Sequence, residues 1–257
     1  MPHVQLPAFR MHYLERGHGP APLVFLHGYL SSHRWWLPAL DRLPEGTRAY
    51  AIDLRGVGHS DPIEEGHTLA QYSRDLQDFI TALGLEQFTL VAHSMGGQIA
   101  TLYALEHPER LKKLLLVSPV AASGNQLPPE VLDWCRAEYG KPETVRLILQ
   151  GAFAKLPAPE FFEELVRDGN DWGRTIYMAT LDEMVAFDVA GELGRIQTPT
   201  LLLWGDKDTA VPFPGIVEYF NGIPDCGLEV WHGVGHSAPI ERPDRFADLL
   251  AGFLAES

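Results

Sequence analysis

Short runs of consecutive apolar residues recur along the chain, separated by longer segments with helical spacing of apolar positions. Runs that are apolar at every position are typical of parallel strands covered on both faces, because alternate side chains point to opposite faces of a sheet. The pattern predicts about seven strands. The four clearest runs lie at residues 22–26, 87–92, 111–117 and 199–204; further strands are expected at 47–53 and 227–231, and an edge strand at 9–15.

Helical periodicity is clearest in three segments that alternate with these strands. Residues 68–83 open with a threonine suited to capping, residues 95–107 stop before a proline, and residues 244–255 form the last segment. The alternation of strands and helices predicts an α/β fold with a doubly wound, mostly parallel sheet.

The alternation fails between residues 123 and 194, where prolines and glycines divide the sequence into short helical pieces. We therefore expect a helical lid, residues 123–194, inserted into a core domain formed by residues 1–122 and 195–257. Large apolar side chains of this lid could line a substrate cavity or pack the lid onto the core. The candidates for substrate binding there are Trp134, Phe153, Trp172, Met178 and Phe187.

Composition narrows the class of protein and of partner. The 257 residues are 46% hydrophobic and 21% charged, as in globular domains, and no apolar run approaches the roughly 18 residues of a membrane span. The N-terminal sequence lacks a secretory signal pattern, which favours a cytoplasmic location. A formal net charge of −14 opposes nucleic-acid binding. Cys135 and Cys226 lack CxxC spacing, so free thiols are expected.

The strongest chemical signal is Ser94 in the sequence AHSMGG, between a predicted buried strand and a predicted helix. A nucleophilic serine in a sharp strand-to-helix turn needs small residues two positions away, because the two elements approach closely there. Ala92 and Gly96 meet that requirement, although the first position is usually glycine. The alternative is a serine that only caps the helix.

Two later loops offer an acid and a base. Asp206 and Asp208 follow the predicted strand 199–204, and either could orient a histidine or be a solvated loop acid. His232 and His236 follow the last predicted strand, and we expect His236, beyond the strand end, to be the base. Two intervening glycines argue against a helix that would present both histidines to a metal, so no metal site is expected.

A serine, an acid and a histidine in this chain order make the sequence resemble the α/β-hydrolase superfamily over nearly its whole length. The segment 53–60 (DLRGVGHS) also resembles a structural loop of that family. The resemblance implies the α/β-hydrolase fold and a catalytic triad of Ser94, Asp208 and His236. Asp208 is preferred over Asp206 because family patterns place the acid three residues after the glycine that ends the strand.

The same resemblance implies an oxyanion hole formed by the backbone N–H groups of Tyr29 and Met95. Tyr29 belongs to the segment His27-Gly28-Tyr29, directly after the predicted strand 22–26. His27 is expected to order that loop, and both His27 and His93 are further candidates for substrate binding.

The predicted lid and triad resemble those of carboxylesterases. They imply cofactor-free hydrolysis of a carboxylic ester of a small apolar or aromatic substrate, through an acyl-enzyme. Carbon–carbon bond hydrolases and cofactor-free perhydrolases share the triad. They stay open although Ser237 stands where the former tend to have Trp, and Leu30 where the latter tend to have Pro.

Rivals of other classes are a small-molecule receptor of the same fold and an inactive structural relative. The expected partner is a small-molecule substrate, with no nucleic acid and no membrane. We expect a monomer or a small homo-oligomer.

Overall fold

The computed structural model describes residues 2–125 and 127–256, and within them eight strands form one sheet. The strands are β1 (His3–Gln5), β2 (Arg10–Gly17), β3 (Ala21–Leu26), β4 (Thr47–Ile52), β5 (Phe88–His93), β6 (Leu111–Val117), β7 (Thr200–Gly205) and β8 (Cys226–Trp231). Their order is β1-β2-β4-β3-β5-β6-β7-β8. The pairs β1–β2 and β2–β4 are antiparallel and the others parallel. The predicted mostly parallel sheet is confirmed.

Helices connect and cover these strands. They are α1 (Leu37–Leu40), α2 (Leu69–Ala82), α3 (Met95–Glu106), α4 (Pro129–Ala137), α5 (Pro142–Gly151), α6 (Pro159–Asn170), α7 (Arg174–Ala186), α8 (Phe213–Gly222), α9 (Ala238–Glu241) and α10 (Pro243–Ala255). Short 3-10 helices cover His33–Trp36, Pro108–Arg110 and Ala190–Arg195. Among the described residues, no helix is long and apolar enough to cross a membrane.

The helices predicted at 68–83, 95–107 and 244–255 are observed as α2, α3 and α10, to within one residue at each end. Thr68 caps α2, since its side chain accepts a hydrogen bond from Gln71 N at 3.1 Å. The sequence prediction missed β1, which is only three residues long, and α8. Two prolines, Pro212 and Pro214, at the start of α8 obscure its helical pattern.

The centre of the sheet is buried on both faces, because every residue of β5 is buried and successive residues point to opposite faces. Parallel pairing aligns the carboxyl ends of β3 and β5, where Leu26 lies opposite Ala92. The next strand in sequence after β3 lies on its other side, so the strand order reverses here. Open α/β sheets bind ligands at such a reversal, outside the carboxyl ends of the strands.

Between β6 and β7, the described residues 123–125 and 127–194 form helices α4 to α7 and one 3-10 helix, without a strand. The division of the chain into a core and a lid at residues 123 and 194 stays a prediction. Helix α6 is tied to the loop after β3. Arg34 pairs with Asp168 at 2.9 Å and with Glu164 at 3.1 Å, and Ser32 Oγ donates to Asp168 at 2.5 Å.

A buried ion pair fixes the loop after β4 against α2. The Arg55 guanidinium donates to both carboxylate oxygens of Asp75 at 2.7 Å each. The two side chains are only 7% and 2% exposed. Removing one partner of such a pair leaves the other charge buried and unpaired, which costs more than the pair itself contributes.

We expect Asp75→Asn to lower the free energy of unfolding by about 3 kcal/mol, as measured by urea denaturation. The matched control is Asp61→Asn. It breaks a pair of the same geometry with Arg10, but those side chains are 31% and 61% exposed. Solvent screens the exposed pair, so its loss should be far smaller. Equal losses in the two variants would contradict the role of the buried pair.

Candidate active site

Ser94 is the single residue between β5 and α3, and its backbone angles are φ +56° and ψ −120°. This left-handed conformation is costly for a residue other than glycine and persists only where the surroundings impose it. The Ser94 N–H donates to Val117 O at 3.1 Å, and its carbonyl accepts from Gly97 N at 2.8 Å and Val120 N at 3.2 Å. The Ser94 side chain makes no capping hydrogen bond to α3, so the helix-cap alternative has no support.

Small residues around Ser94 let β3, β5 and α3 approach one another. A Cβ atom on Gly96 would lie 2.6 Å from the carbonyl oxygen of His27, and one on Gly28 would lie 2.9 Å from Ser94 Cβ. Both distances are shorter than real carbon contacts allow, so these positions require glycine. Ala92 is fully buried in β5, which shows that this position accommodates one methyl group.

Asp208 and His236 meet between the loops that follow β7 and β8. His236 Nδ1–H donates to Asp208 Oδ2 at 2.8 Å, and Asp208 Oδ1 accepts from the N–H groups of Ala210 and Val211 at 2.9 Å each. Burial by itself raises the pKa of the Asp208 carboxyl, but the His236 ring and the Val211 N–H bring that pKa below its ordinary value. A proton on Nδ1 leaves Nε2 of His236 as the unprotonated atom of the neutral ring, as a general base requires.

The other acid and the other histidine form a separate pair. Asp206 accepts from His232 Nδ1 at 2.7 Å and from Gly233 N at 2.7 Å. The His232 side chain is 92% exposed, so this pair orders the loop surface. The structure therefore brings Asp208, and not Asp206, to His236.

The candidate oxyanion donors lie on the two elements beside Ser94. Met95 is the first residue of α3, where backbone N–H groups have no partner inside the helix, and Tyr29 follows β3. Among the described residues, neither N–H donates a hydrogen bond.

His27 orders the Tyr29 loop. Its Nε2 accepts from Leu54 N at 3.2 Å, so its Nδ1–H donates to Gly28 O at 2.8 Å. Burial lowers the pKa of His27, which keeps the ring neutral and preserves this donor and acceptor pattern.

Ser94 and His236 line one cavity of about 260 Å³. No hydrogen bond joins the Ser94 hydroxyl to His236 in the described part of the chain; in unliganded sites such contacts are often long and tighten only with substrate. The other walls come from the loop after β3, from the segment after β6, from α4, α5 and α7, and from the residues that follow Asp208. Of the described residues that line it, none is Lys, Arg, Asp or Glu.

Two of the predicted substrate-binding residues, His93 and Trp134, line this cavity. The structure places the other five outside its lining: His27, Phe153, Trp172, Met178 and Phe187. Phe153 packs against Trp35, with ring centroids 5.8 Å apart. Trp172 donates its ring N–H to a backbone carbonyl of the loop after β3, so it fastens the helices to the core.

Several lining residues escaped the sequence prediction, among them Asn125, Leu149 and Val211. Val211 could have been identified from the sequence, because it lies three residues after Asp208, beyond the carboxyl end of a parallel strand. Asn125 and Leu149 could not be identified in this way. Their place in the wall depends on how the helices between β6 and β7 dock.

A second cluster of titratable side chains, His12, His33 and Asp53, offers ligand atoms within 4.8 Å of one another, close enough for a metal ion. Asp53 already accepts from both rings at 2.7 and 3.0 Å, and from the N–H groups of His33 and His59 at 2.7 and 2.9 Å. A carboxylate saturated by protein donors fits a structural hub better than a metal ligand. The hub fixes the loop at residues 53–60.

Comparison with known proteins identifies related sequences and structures. A profile of the alpha/beta hydrolase family matches residues 23–249. A 2-hydroxy-6-oxo-6-phenylhexa-2,4-dienoate hydrolase of Comamonas testosteroni is 30% identical, over 98% of this chain and 93% of its own. Monoacylglycerol lipase abhd6-A of Xenopus laevis is 25% identical, over 96% and 80%.

The solved structure of an esterase (EaEST) from Exiguobacterium antarcticum superposes with a TM-score of 0.91 at 24% identity, and the match covers 99% of both chains. At that identity the likeness shows the fold. The predicted α/β-hydrolase fold is therefore confirmed by the sheet, by the family profile and by this superposition.

We expect Asp208→Asn to slow the reaction of Ser94 with a fluorophosphonate reagent on the order of 10³-fold, because an amide cannot hold the His236 tautomer that accepts the serine proton. Asp206→Asn is the matched control, since it removes the neighbouring carboxylate without touching His236. Labelling rates followed by intact-protein mass spectrometry measure both. Similar rates for parent and Asp208→Asn would contradict the assignment of the acid.

Proposed function

The chain belongs to the alpha/beta hydrolase family, and from this premise we propose that it is a serine esterase acting on neutral carboxylic esters with small apolar or aromatic groups. The main support for the proposal is the cavity lined by Ser94 and His236, which has no Lys, Arg, Asp or Glu among its described lining residues. Its volume of about 260 Å³ lies just below the usual range of roughly 300–1,000 Å³ for small-molecule pockets. A small substrate fits that size.

In the proposed mechanism His236 accepts the proton of Ser94 while the serine oxygen attacks the ester carbonyl. The N–H groups of Tyr29 and Met95 stabilise the oxyanion, and Asp208 stabilises the imidazolium that forms. His236 then protonates the departing alcohol, which leaves an acyl group on Ser94. Water activated by the same histidine releases the acid, and no cofactor takes part in these steps.

The relatives are named for two different kinds of substrate, so the proposal has to choose between two reactions. The name of the Comamonas relative describes a dienoate, hence a carboxylate substrate, whereas the name of the Xenopus relative describes a neutral ester of glycerol. A buried carboxylate is stabilised most by a cationic partner. Because no Lys or Arg lines the cavity in the described ranges, we favour the neutral ester over the dienoate.

The mechanism predicts that the parent protein hydrolyses p-nitrophenyl esters and that Ser94→Ala abolishes turnover, because alanine cannot form the acyl-enzyme. A chain-length series, with melting curves for both proteins, measures the activity and the fold together. The cavity volume predicts that short and medium acyl chains are preferred. Full activity in Ser94→Ala would overturn the proposal, and slow single turnover with a ligand-dependent melting temperature would instead favour a receptor.

The neutral lining predicts discrimination by charge. We expect p-nitrophenyl butyrate to be hydrolysed with a kcat/KM at least about a hundredfold above that of p-nitrophenyl hemisuccinate, whose carboxylate would be buried without a cationic partner. Repeating both assays at high salt controls for repulsion by the acidic protein as a whole, because salt screens such long-range effects. Equal kcat/KM values would instead favour carboxylate substrates and carbon–carbon cleavage.

A further inference from the structure

His93, the residue before Ser94, contacts the backbone of the residue proposed as the base. Its Nε2 lies 3.0 Å from the carbonyl oxygen of His236, and the contact is buried. A carbonyl oxygen only accepts hydrogen bonds, so Nε2 of His93 carries a proton and donates it. The segment that carries Ser94 is thereby joined to the segment that carries His236.

The other ring nitrogen of His93 shows that the imidazole is not present for its packing alone. Its Nδ1 is buried and has no hydrogen-bond partner among the described residues. A buried acceptor without a partner is destabilising, and an apolar ring of similar size would avoid that loss. The single hydrogen bond that His93 makes is therefore the property that distinguishes it from a phenylalanine here.

Aromatic neighbours hold the His93 ring in place. Trp35 stacks on it with centroids 4.9 Å apart and an interplanar angle of 23°, and the ring of His236 lies 4.4 Å away. Burial, and then the nearby ring of His236, keep the pKa of His93 well below its ordinary value. The ring thus stays neutral, and it adds no repulsion when His236 becomes an imidazolium during catalysis.

Other contacts hold the far side of the same loop. Ser237 Oγ donates to Ala152 O at 2.8 Å, and Gly235 N donates to Glu241 Oε1 at 2.9 Å. Asp208 fixes the imidazole of His236 through Nδ1. None of these three contacts connects the His236 backbone to the segment that carries Ser94. The His93 contact does.

We propose that His93 is a positioning residue, whose Nε2–H holds the His236 carbonyl and so sets the distance between the base and the Ser94 hydroxyl. The inference rests on the proposed roles of Ser94 and His236 as nucleophile and base. It does not depend on which ester is the substrate.

The test compares the parent with His93→Gln, His93→Asn and His93→Phe. Glutamine places an N–H donor at the same number of bonds from Cβ as histidine Nε2, whereas the donor of asparagine is one bond shorter and phenylalanine has none. For each protein we would measure the rate of Ser94 phosphonylation by a fluorophosphonate, kcat and KM for a p-nitrophenyl ester, and the melting temperature.

We expect His93→Phe and His93→Asn to lower both the phosphonylation rate and kcat by between about tenfold and a hundredfold, with KM nearly unchanged. His93→Gln should retain most of the parent rate. Rescue by glutamine and not by asparagine identifies the hydrogen bond as the cause. If the phenylalanine variant does not fold, the glutamine and asparagine variants still make this comparison.

Parent-like rates in His93→Phe or His93→Asn would overturn the proposal, as would a glutamine variant that melts like the parent yet reacts as slowly as the asparagine variant. The phosphonylation assay separates this proposal from the ester assignment. A parent that labels at Ser94 but cleaves no ester would refute the ester assignment and leave the comparison intact. A parent that does not label would overturn both.

Discussion

The strained backbone of Ser94 is the constraint on which the candidate site depends. Its positive φ is held by the hydrogen bond that its N–H donates to the neighbouring strand, by the one that its carbonyl accepts from the following loop, and by close contacts that only glycine permits at positions 28 and 96. One local geometry therefore does three things. It places the serine at the cavity wall, it starts α3 at Met95, whose N–H has no partner among the described residues, and it brings the Tyr29 loop alongside.

The register of the sheet then brings distant residues to this point. Leu26 lies opposite Ala92, His93 opposite Val117, Val117 opposite Leu203, and Gly205 opposite Trp231. Because these strands are parallel, their carboxyl ends form one edge, and the loops that follow them must meet there. The candidate donors, nucleophile, acid and base come from four such loops. The hydrogen bond from His93 to His236 directly joins the carboxyl end of β5 to the loop that follows β8.

The core could be predicted from sequence because its signals are local. Buried parallel strands consist largely of apolar residues, and Ser94 and Asp208 each follow such a strand within a few residues, whereas His236 follows the half-exposed edge strand β8. Family patterns preferred Asp208 over Asp206, and the structure shows the physical reason, since each acid engages a different histidine. The wall of the cavity could not be predicted in the same way. Trp172, an aromatic residue of the predicted lid, contacts the loop after β3 instead of lining the cavity, and only the docking of the helices decides that.

The helices between β6 and β7 do more than cover the cavity. The Tyr29 hydroxyl donates to Tyr177 O at 3.0 Å, and the carboxylate of Glu241 accepts from Gly235 N and from Lys155 N. The loops that carry a candidate oxyanion donor and the candidate base are thus braced against the same helical segment that supplies much of the neutral lining. Substitutions in the lining can change which substrate is accepted, whereas changes at these braces would disturb the geometry of the reaction. Substrate choice and reaction geometry would therefore depend on different residues of the same fold.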